Sequence, residues 1–512
     1  MRSRITAVLL GAALAVSAAS APALEARYHT HEEVRAELLA TVAAYPGIAH
    51  MDTIGYSTTD GRAIWAIKLS DNPCVDEDEP AVLFDGVHHA EEVLGLEVIM
   101  WMIDELTNSY GVNDTLTAWV NDCEIWFIPI LNPDGHKVVT GGIDETWRKN
   151  TFDNNGNGLF DLDFDGVDPN NNYDWNWDGG NPDTSASYYR GPAPFSENET
   201  QTMRDFCEAV KPVFALNYHS PLISAGDCIY YPWYWPGYGF APDHHVIFET
   251  ASELAARTKK ADGGSFSASF GYATQGKARN WQYGHLGVIG LTMEILSYMC
   301  IPPAADVDGI CDRVSTGSYS LIERSYGPGL TGHVIDGTTG SPLVAEVEVL
   351  EVTSDVLDPR LTDAAYGRYW RPLKPGDYTL EFSADGYESV TLGPVTVPDG
   401  DWTVVDAALW PVGTGVDEVS GGAMILGVLP NPTRGQTSVR FAAPAATDAR
   451  VEIYSLSGRL VAALDAASGP GGAGAAVWDG RDASGRPVSS GVYFARLVAD
   501  TESDVEKIVL LR

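Results

Sequence analysis

The chain has 512 residues, too many for one compact core, so a domain of about 300 residues with one or two smaller ones is the natural expectation. It carries 70 acidic against 32 basic residues, a formal charge of -38. That balance repels nucleic acid and anionic lipid alike, because both require a basic face, and it argues for solubility outside the cell instead.

The chain opens with Arg2 and Arg4, the apolar run Ile5 to Val16 and the small residues Ala19-Ser20-Ala21-Pro22-Ala23, a pattern that reads as a secretory signal over residues 1–23. No later stretch approaches the roughly 20 apolar residues of a membrane helix, so no transmembrane segment is expected. From residue 24 to 327, helical patterns such as Glu91 to Leu106 and Glu197 to Val210 alternate with apolar strand-like runs. Those runs are Ala81 to Phe84, Glu124 to Ile130, Val213 to Tyr218 and Val288 to Ile295. The alternation predicts an α/β fold, a mixed and mainly parallel sheet with helices on both faces, whose functional residues gather at strand ends.

After Gly327-Pro328-Gly329 the texture changes to short alternating strands with Gly, Pro and Asp turns, which predicts a small β-sandwich over residues 328–411. Residues 412–422 read as a linker, and residues 423–512 as a second all-β module. Neither tail clusters catalytic residue types. The six cysteines, Cys74, Cys123, Cys207, Cys228, Cys300 and Cys311, all precede residue 320; in an exported chain they are expected to pair as disulfides, Cys300 with Cys311 first. No CxxC pair exists, which argues against a thiolate zinc site.

Three short segments carry the chemistry. In Asp85-Gly86-Val87-His88-His89-Ala90-Glu91-Glu92, between an apolar strand and an amphipathic helix, His89 and Glu92 are three apart and share a face if the helix starts there. A lone HxxE is equally an exposed helix start whose acids favour the dipole. His219, in Asn217-Tyr218-His219-Ser220, leaves a strand where a third ligand can reach the same ion. Glu294, in Thr292-Met293-Glu294-Ile295, is a carboxylate in an apolar strand, costly unless it has a partner or a task. Three protein ligands plus an open position compose a catalytic zinc site, beside which a glutamate deprotonates water attacking a carbonyl.

These segments, with Asn132-Pro133-Asp134-Gly135, Trp147-Arg148-Lys149-Asn150, Gly166-Val167-Asp168-Pro169-Asn170 and Tyr189-Arg190-Gly191-Pro192, come in the order seen in the zinc carboxypeptidase family, which the chain resembles over about residues 28 to 325. The entry at Tyr28 to Glu33 is similar to that family's mature N-terminus and leaves no room for an inhibitory pro-segment. The resemblance implies one catalytic zinc ion held by His89, Glu92 and His219, Glu294 as general base and proton shuttle, and Arg148 as oxyanion stabiliser. It also implies that Asn170 and Asn171 contact substrate and that Tyr272, eleven residues before Tyr283, closes over it.

The pattern breaks at Asn170-Asn171-Asn172, where relatives that trim C-termini carry Asn-Arg-Asn and clamp the substrate's carboxylate with the arginine. Asn171 brings no charge, and Glu91 stands where the family often has a second arginine. Arg279, seven residues after Tyr272, falls at the base of the family's specificity pocket, where it reads an acidic side chain or takes over the clamp; otherwise it pairs with an acid nearby. The glycine-studded loop Asp153 to Asp165 resembles the start of a calcium loop, with Phe164 where the bidentate Glu belongs, so a structural calcium ion stands against a solvated acidic loop.

The first tail resembles the transthyretin-like β-sandwich that follows some carboxypeptidases; the second, through Trp478-Asp479-Gly480-Arg481-Asp482 and Gly491-Val492-Tyr493, is similar to bacterial Ig-like modules of the hook-capping-protein type. The expectation is therefore a bacterial zinc metallocarboxypeptidase, secreted or at the cell surface or periplasmic, acting on peptide or protein substrates. Its C-terminal module is a candidate for a surface or sorting partner. Two alternatives stand beside it: a zinc amidase or endopeptidase, on cell-wall or other peptides, that needs no carboxylate clamp, and an inactive peptide-binding protein using the same cleft.

Overall fold

A computed structural model describes residues 24–511 apart from 222–225, 236–238, 272–274, 298, 413–422, 430, 434, 444–447, 468–472 and 500–501. The predicted signal, the linker and Tyr272 thus lie wholly or almost wholly outside the described residues.

The elements of the first unit run α1 (His31–Ala44), β1 (Ala49–Tyr56), β2 (Ala63–Leu69), β3 (Ala81–Asp85), α2 (Leu94–Ser109), α3 (Asp114–Asp122), β4 (Glu124–Ile128) and α4 (Pro133–Thr140). They continue with α5 (Asn198–Val210), β5 (Phe214–His219), β6 (Cys228–Tyr231), the short β7 (Tyr234–Trp235) and β8 (Gly239–Phe240), α6 (His244–Arg257), β9 (Ser267–Phe270), α7 (Ala278–Trp281), β10 (Ile289–Glu294) and α8 (Ala304–Arg324). Eight strands form one sheet in the order β1-β2-β4-β3-β5-β10-β6-β9. Its four central strands β4, β3, β5 and β10 are parallel, and antiparallel partners flank them on both sides. This is the α/β core with a mixed sheet that the alternating pattern predicts.

The central strands are mainly apolar because both faces are covered, with Asp85, Asn217, His219 and Glu294 at or near their C-terminal ends. Phe84, Phe127, Phe214, Leu216 and Leu291 are fully buried, each contributing about 1.5–3 kcal/mol relative to exposure. Close approach is enforced at Gly95 in α2, where a Cβ would come within 2.5 Å of the Tyr218 Cβ. The parallel register aligns the C-terminal strand ends: Asp85 beside Ile128 and Asn217, and His219 beside Glu294.

The helix after β3 begins at Leu94, later than the sequence pattern predicts, so His89 and Glu92 stand in the turn before it and not on its face. The turn is held by bonds from Ala90 N to the Arg148 carbonyl and from Glu92 N to the His89 carbonyl, and by Val87 at φ 55, a left-handed conformation rare for a β-branched residue. None of the six cysteines is disulfide-bonded, contrary to expectation. Cys300 and Cys311 face different surroundings: the Cys300 thiol donates to the Ser220 carbonyl, whereas Cys311 lies on α8 within range of Glu97 and Arg27.

Beyond α8 the chain is all β. Residues 329–411 form a five-stranded and a three-stranded sheet around Leu330, Val347, Leu380, Phe382 and Leu409. Residues 424–510 form a three-stranded and a four-stranded sheet around Phe441, Ile453, Trp478 and Leu497. The first of these units is docked on the α/β unit: Asp78 accepts from Arg368 Nε and Nη2 at 2.6 Å each and lies 2.8 Å from His333 Nε2, while Trp402 Nε1 donates to the Ser325 carbonyl at 2.8 Å. Burial alone would raise the Asp78 carboxyl, but Arg368 and His333 hold it down at about 2. Asp406 and Asp78 in turn hold His333 up at about 9, against burial and Arg368.

A group raised from about 6.5 unfolded to about 9 folded stabilises fully below pH 6.5, and that contribution is lost as pH rises through 9. Thermal melts across that window are expected to show a steeper loss in the wild type than in His333→Gln. Identical slopes would mean that this junction does not titrate.

Candidate metal and hydrolytic site

The turn after β3 and the end of β5 bring His89, Glu92 and His219 together, all three buried, with their ligand atoms within 4.8 Å of one another. His89 Nδ1 lies 3.0 Å from Glu92 Oε1, His219 Nδ1 lies 2.6 Å from Glu92 Oε2, and the two Nδ1 atoms face each other at 3.0 Å. Two imidazole nitrogens and a carboxylate aimed at one point are the donor set of a borderline cation such as zinc. The remaining nitrogen of His89 is backed by a carboxylate, Asp168 Oδ1 at 3.1 Å, as metal-bound histidines usually are. His219 Nε2 lies 3.1 Å from the Asn170 amide. On donor chemistry and second-sphere support, these residues fit a zinc ion.

Charges shape the pocket. Burial pushes the His219 ring down to about 3, so it stays neutral, the form in which imidazole binds a metal. His89 and His219 together hold the Glu92 carboxyl well below its usual range in spite of burial. Burial, then the Glu92 charge, push Glu294 up to about 8, with His89, Arg148 and Arg279 pulling the other way. Glu294 Oε2 is buried and has no hydrogen-bond partner among the described residues. Glu91, where an arginine is common in relatives, is likewise pushed up to about 8 by burial and Glu92.

Arg148 stands beside the triad: its Nε donates to Asp168 Oδ2 at 3.0 Å, its Nη1 to Glu92 Oε1 at 3.3 Å, and its Nη2 lies 2.7 Å from His89 Nε2. Asp168 is fully buried, and burial would raise its carboxyl, but Arg148 and His89 hold it well below the usual carboxylate range. Asn171 Nδ2 is also committed to Asp168, at 2.6 Å, and its Oδ1 accepts from Lys277 Nζ at 2.9 Å. Asn170 Oδ1 accepts from Ala278 N at 3.0 Å. Arg279 is buried, its Nη1 3.4 Å from Thr292 Oγ1 and its guanidinium 5.8 Å from the Tyr230 ring; burial draws it down to about 10, with Glu294 opposing.

The structure therefore gathers His89, Glu92, His219, Glu294, Arg148, Asn170, Asn171 and Arg279 at one end of the sheet. Two residues in contact with this group carried no sequence signal of their own. Asp168 stood inside a quoted motif without a role, and Lys277 sits beside Arg279 in a loop whose path the sequence does not reveal.

Nothing in the described residues of the Asp153–Asp165 loop supports the structural calcium ion over the solvated acidic loop. Asp153 accepts from the backbone N–H groups of Gly156 and Gly158, and Asp165 from those of Asn154 and Asp161, so the loop is laced through its own amides. The metal-type clusters among the described residues are the triad and Asp71, Glu77 and Glu79, and none lies in this loop.

Comparison with known proteins agrees with this architecture. The family model for zinc carboxypeptidases matches residues 34–314, one for the carboxypeptidase regulatory-like domain matches 329–409, and one for the FlgD Ig-like domain matches 430–503. The chain belongs to the zinc carboxypeptidase family, a zinc-dependent family of metallopeptidases. It is 40% identical over 152 residues to a zinc carboxypeptidase of Saccharothrix mutabilis subsp. capreolus, covering 29% of this chain and 33% of that protein. It is 30% identical over 271 residues to carboxypeptidase A2 of Rattus norvegicus, covering 50% and 59%. The chain thus spans between a third and three fifths of the length of these curated relatives. Two solved structures share the fold: thrombin activatable fibrinolysis inhibitor, with a TM-score of 0.52 and 20% identity over 58% of this chain and 74% of that one, and carboxypeptidase A from Helicoverpa armigera, with 0.51 and 21% over 58% and 73%.

Zinc titrated into the purified chain is expected to bind with one equivalent, and Asp168→Asn to weaken that binding by about 10- to 100-fold, as loss of second-sphere support usually does. Competition with a graded chelator measures it; wild-type affinity in the variant would remove Asp168 from the metal's support.

Proposed function

We propose that the protein is an exported zinc-dependent exopeptidase that hydrolyses the last peptide bond of peptides or proteins. The reading is carried by Glu294: a buried carboxylate oxygen without a partner, in register with His219 at the edge of a donor triad, is a base placed to take a proton. His89, Glu92 and His219 would hold the ion. Zinc so bound supplies Lewis acidity, polarising a carbonyl and lowering the pKa of water.

The chain's own groups do the rest. Glu294 takes the proton of the attacking water and, its pKa being high, returns it to the leaving amine. Arg148, anchored through Nε by Asp168, keeps its Nη groups beside the triad, where negative charge develops on the carbonyl oxygen. Asn170 fixes the His219 ring and anchors Ala278, the first residue of α7. Arg279, buried within range of Glu294, is placed to favour an acidic terminal side chain.

The amidase or endopeptidase reading is favoured by the uncharged Asn171, whose amide is already spoken for by Asp168. The leader-like residues 1–23 support export, to the exterior, cell surface or periplasm of a bacterium, and no helix among the described residues is long and apolar enough to cross a membrane. The Ig-like module is suited to a surface or sorting partner.

Glu294→Gln is expected to keep its zinc while kcat falls by about 10²- to 10⁴-fold, and substantial residual turnover would point to another base. Incubation of the zinc-loaded chain with a peptide library containing C-terminally amidated copies, read by mass spectrometry, tests the specificity. Loss of single terminal residues from free-acid peptides alone is the expected result; internal cuts, or equal cleavage of the amides, would establish the second reading, and no zinc and no cleavage would leave a binding protein.

A further inference from the structure

A cation stands in this site with no anion of its own. Lys277 Nζ meets one hydrogen-bond acceptor among the described residues, the neutral Asn171 Oδ1, and no carboxylate of the described residues lies within ion-pair distance of it. The acid that acts on it most strongly, Asp168, is already engaged by His89, Arg148 and Asn171. Lys277 is half-buried; an ammonium partly withdrawn from water without a counter-charge is costly, and that burial draws it down to about 8.

The chain nevertheless holds Lys277 firmly in place. Gly276 lies at φ +57 and packs so closely that a Cβ there would come within 2.2 Å of the Asn171 carbonyl oxygen. Tyr173 N donates to the Gly276 carbonyl, Gly276 N to the Trp175 carbonyl and Ala278 N to Asn170 Oδ1, so residues 276–278 are laced to residues 170–175. Lys277 is thereby fixed beside Asn171, within electrostatic range of Arg148, Arg279 and Glu294.

We propose that Lys277 is the residue that receives the terminal α-carboxylate of the substrate, with Asn171 serving as the tether between Lys277 and Asp168 and not as a carboxylate donor. The bound carboxylate supplies the missing counter-charge, and an ammonium on a fixed loop places the last peptide bond against the triad. Arg279 is then left to the terminal side chain. The inference rests on the exopeptidase reading and assigns its selectivity to a residue outside the Asn170–Asn172 motif.

The test uses the zinc-loaded full chain, Lys277→Met and Lys277→Arg, with peptides ending in Leu or Glu, each as free acid and as amide. The wild type is expected to prefer the acids. Lys277→Met should lose about 10- to 100-fold in kcat/KM on both acids, mainly through KM, so that the acid-to-amide ratio collapses, and Lys277→Arg should retain most of that ratio. An unchanged ratio in Lys277→Met overturns the proposal and leaves the exopeptidase standing, as does a loss confined to Glu-ending peptides. A wild type that cuts amides and acids equally overturns both. In case Lys277→Met does not fold, reductive methylation of Lys277 is followed by mass spectrometry in the Glu294→Gln chain: the free-acid peptide should suppress it and the amide should not, and equal labelling overturns the proposal.

Discussion

The carboxylate of Asp168 is the point on which the site turns. It has no exposure to solvent, yet it stays ionised because Arg148 and His89 stand against it. Four groups meet its two oxygens: His89 Nε2, Arg148 Nε, Asn170 N and Asn171 Nδ2. One anion thus orients a candidate metal ligand, the guanidinium proposed to bind the oxyanion and the loop proposed to face the substrate. Were Asp168 neutral, a half-buried arginine and a buried imidazole would each lose a partner, and the penalty for an uncompensated buried charge is large. The sheet serves this hub by delivering His219 and Glu294 side by side at the C-terminal ends of two of its central strands.

Much of this was legible in the primary structure. Strands β3, β4, β5 and β10 announce themselves as apolar runs because parallel strands covered on both faces have no polar side to show. The triad residues are legible because His89 and Glu92 are spaced three apart between a strand and a helix and His219 ends a strand, and Glu294 because a carboxylate in an apolar strand demands a reason. The β-rich tails follow from short alternating runs between Gly, Pro and Asp turns. What was not legible depends on contacts distant in sequence. The delayed start of α2 is set by the carbonyl of Arg148, fifty-eight residues after Ala90. Lys277 meets Asn171 through a loop path that no periodicity encodes. The unpaired cysteines belong to the same class, since a disulfide requires two thiols to face each other and composition does not report facing. The acidic loop is ambiguous for a different reason: oxygen-rich spacing looks alike whether the oxygens face an ion or the loop's own amides.

The local balance of charge differs from that of the whole chain. Against a strongly acidic background, the site gathers Arg148, Lys277 and Arg279 around Asp168, Glu91, Glu92 and Glu294. An anionic substrate approaching a protein of formal charge -38 meets a generally repulsive field until it reaches this patch. Recognition then depends on short-range contacts more than on steering, and added salt, by screening the repulsion, favours encounter instead of hindering it.

The loop at Gly276 has a consequence for how such a site changes over time. Lys277, Arg279 and Asn280 lie within four consecutive positions, pinned at one end by a glycine and running directly into α7, while the triad, Arg148 and Glu294 come from elsewhere in the chain. On the reading proposed above, most of what the site accepts is thus inscribed on a different piece of sequence from what it does, joined to it through Asn170 and Asn171. A handful of neighbouring codons can be exchanged between relatives as a block, altering which chain ends are chosen while the bond-breaking apparatus is inherited intact.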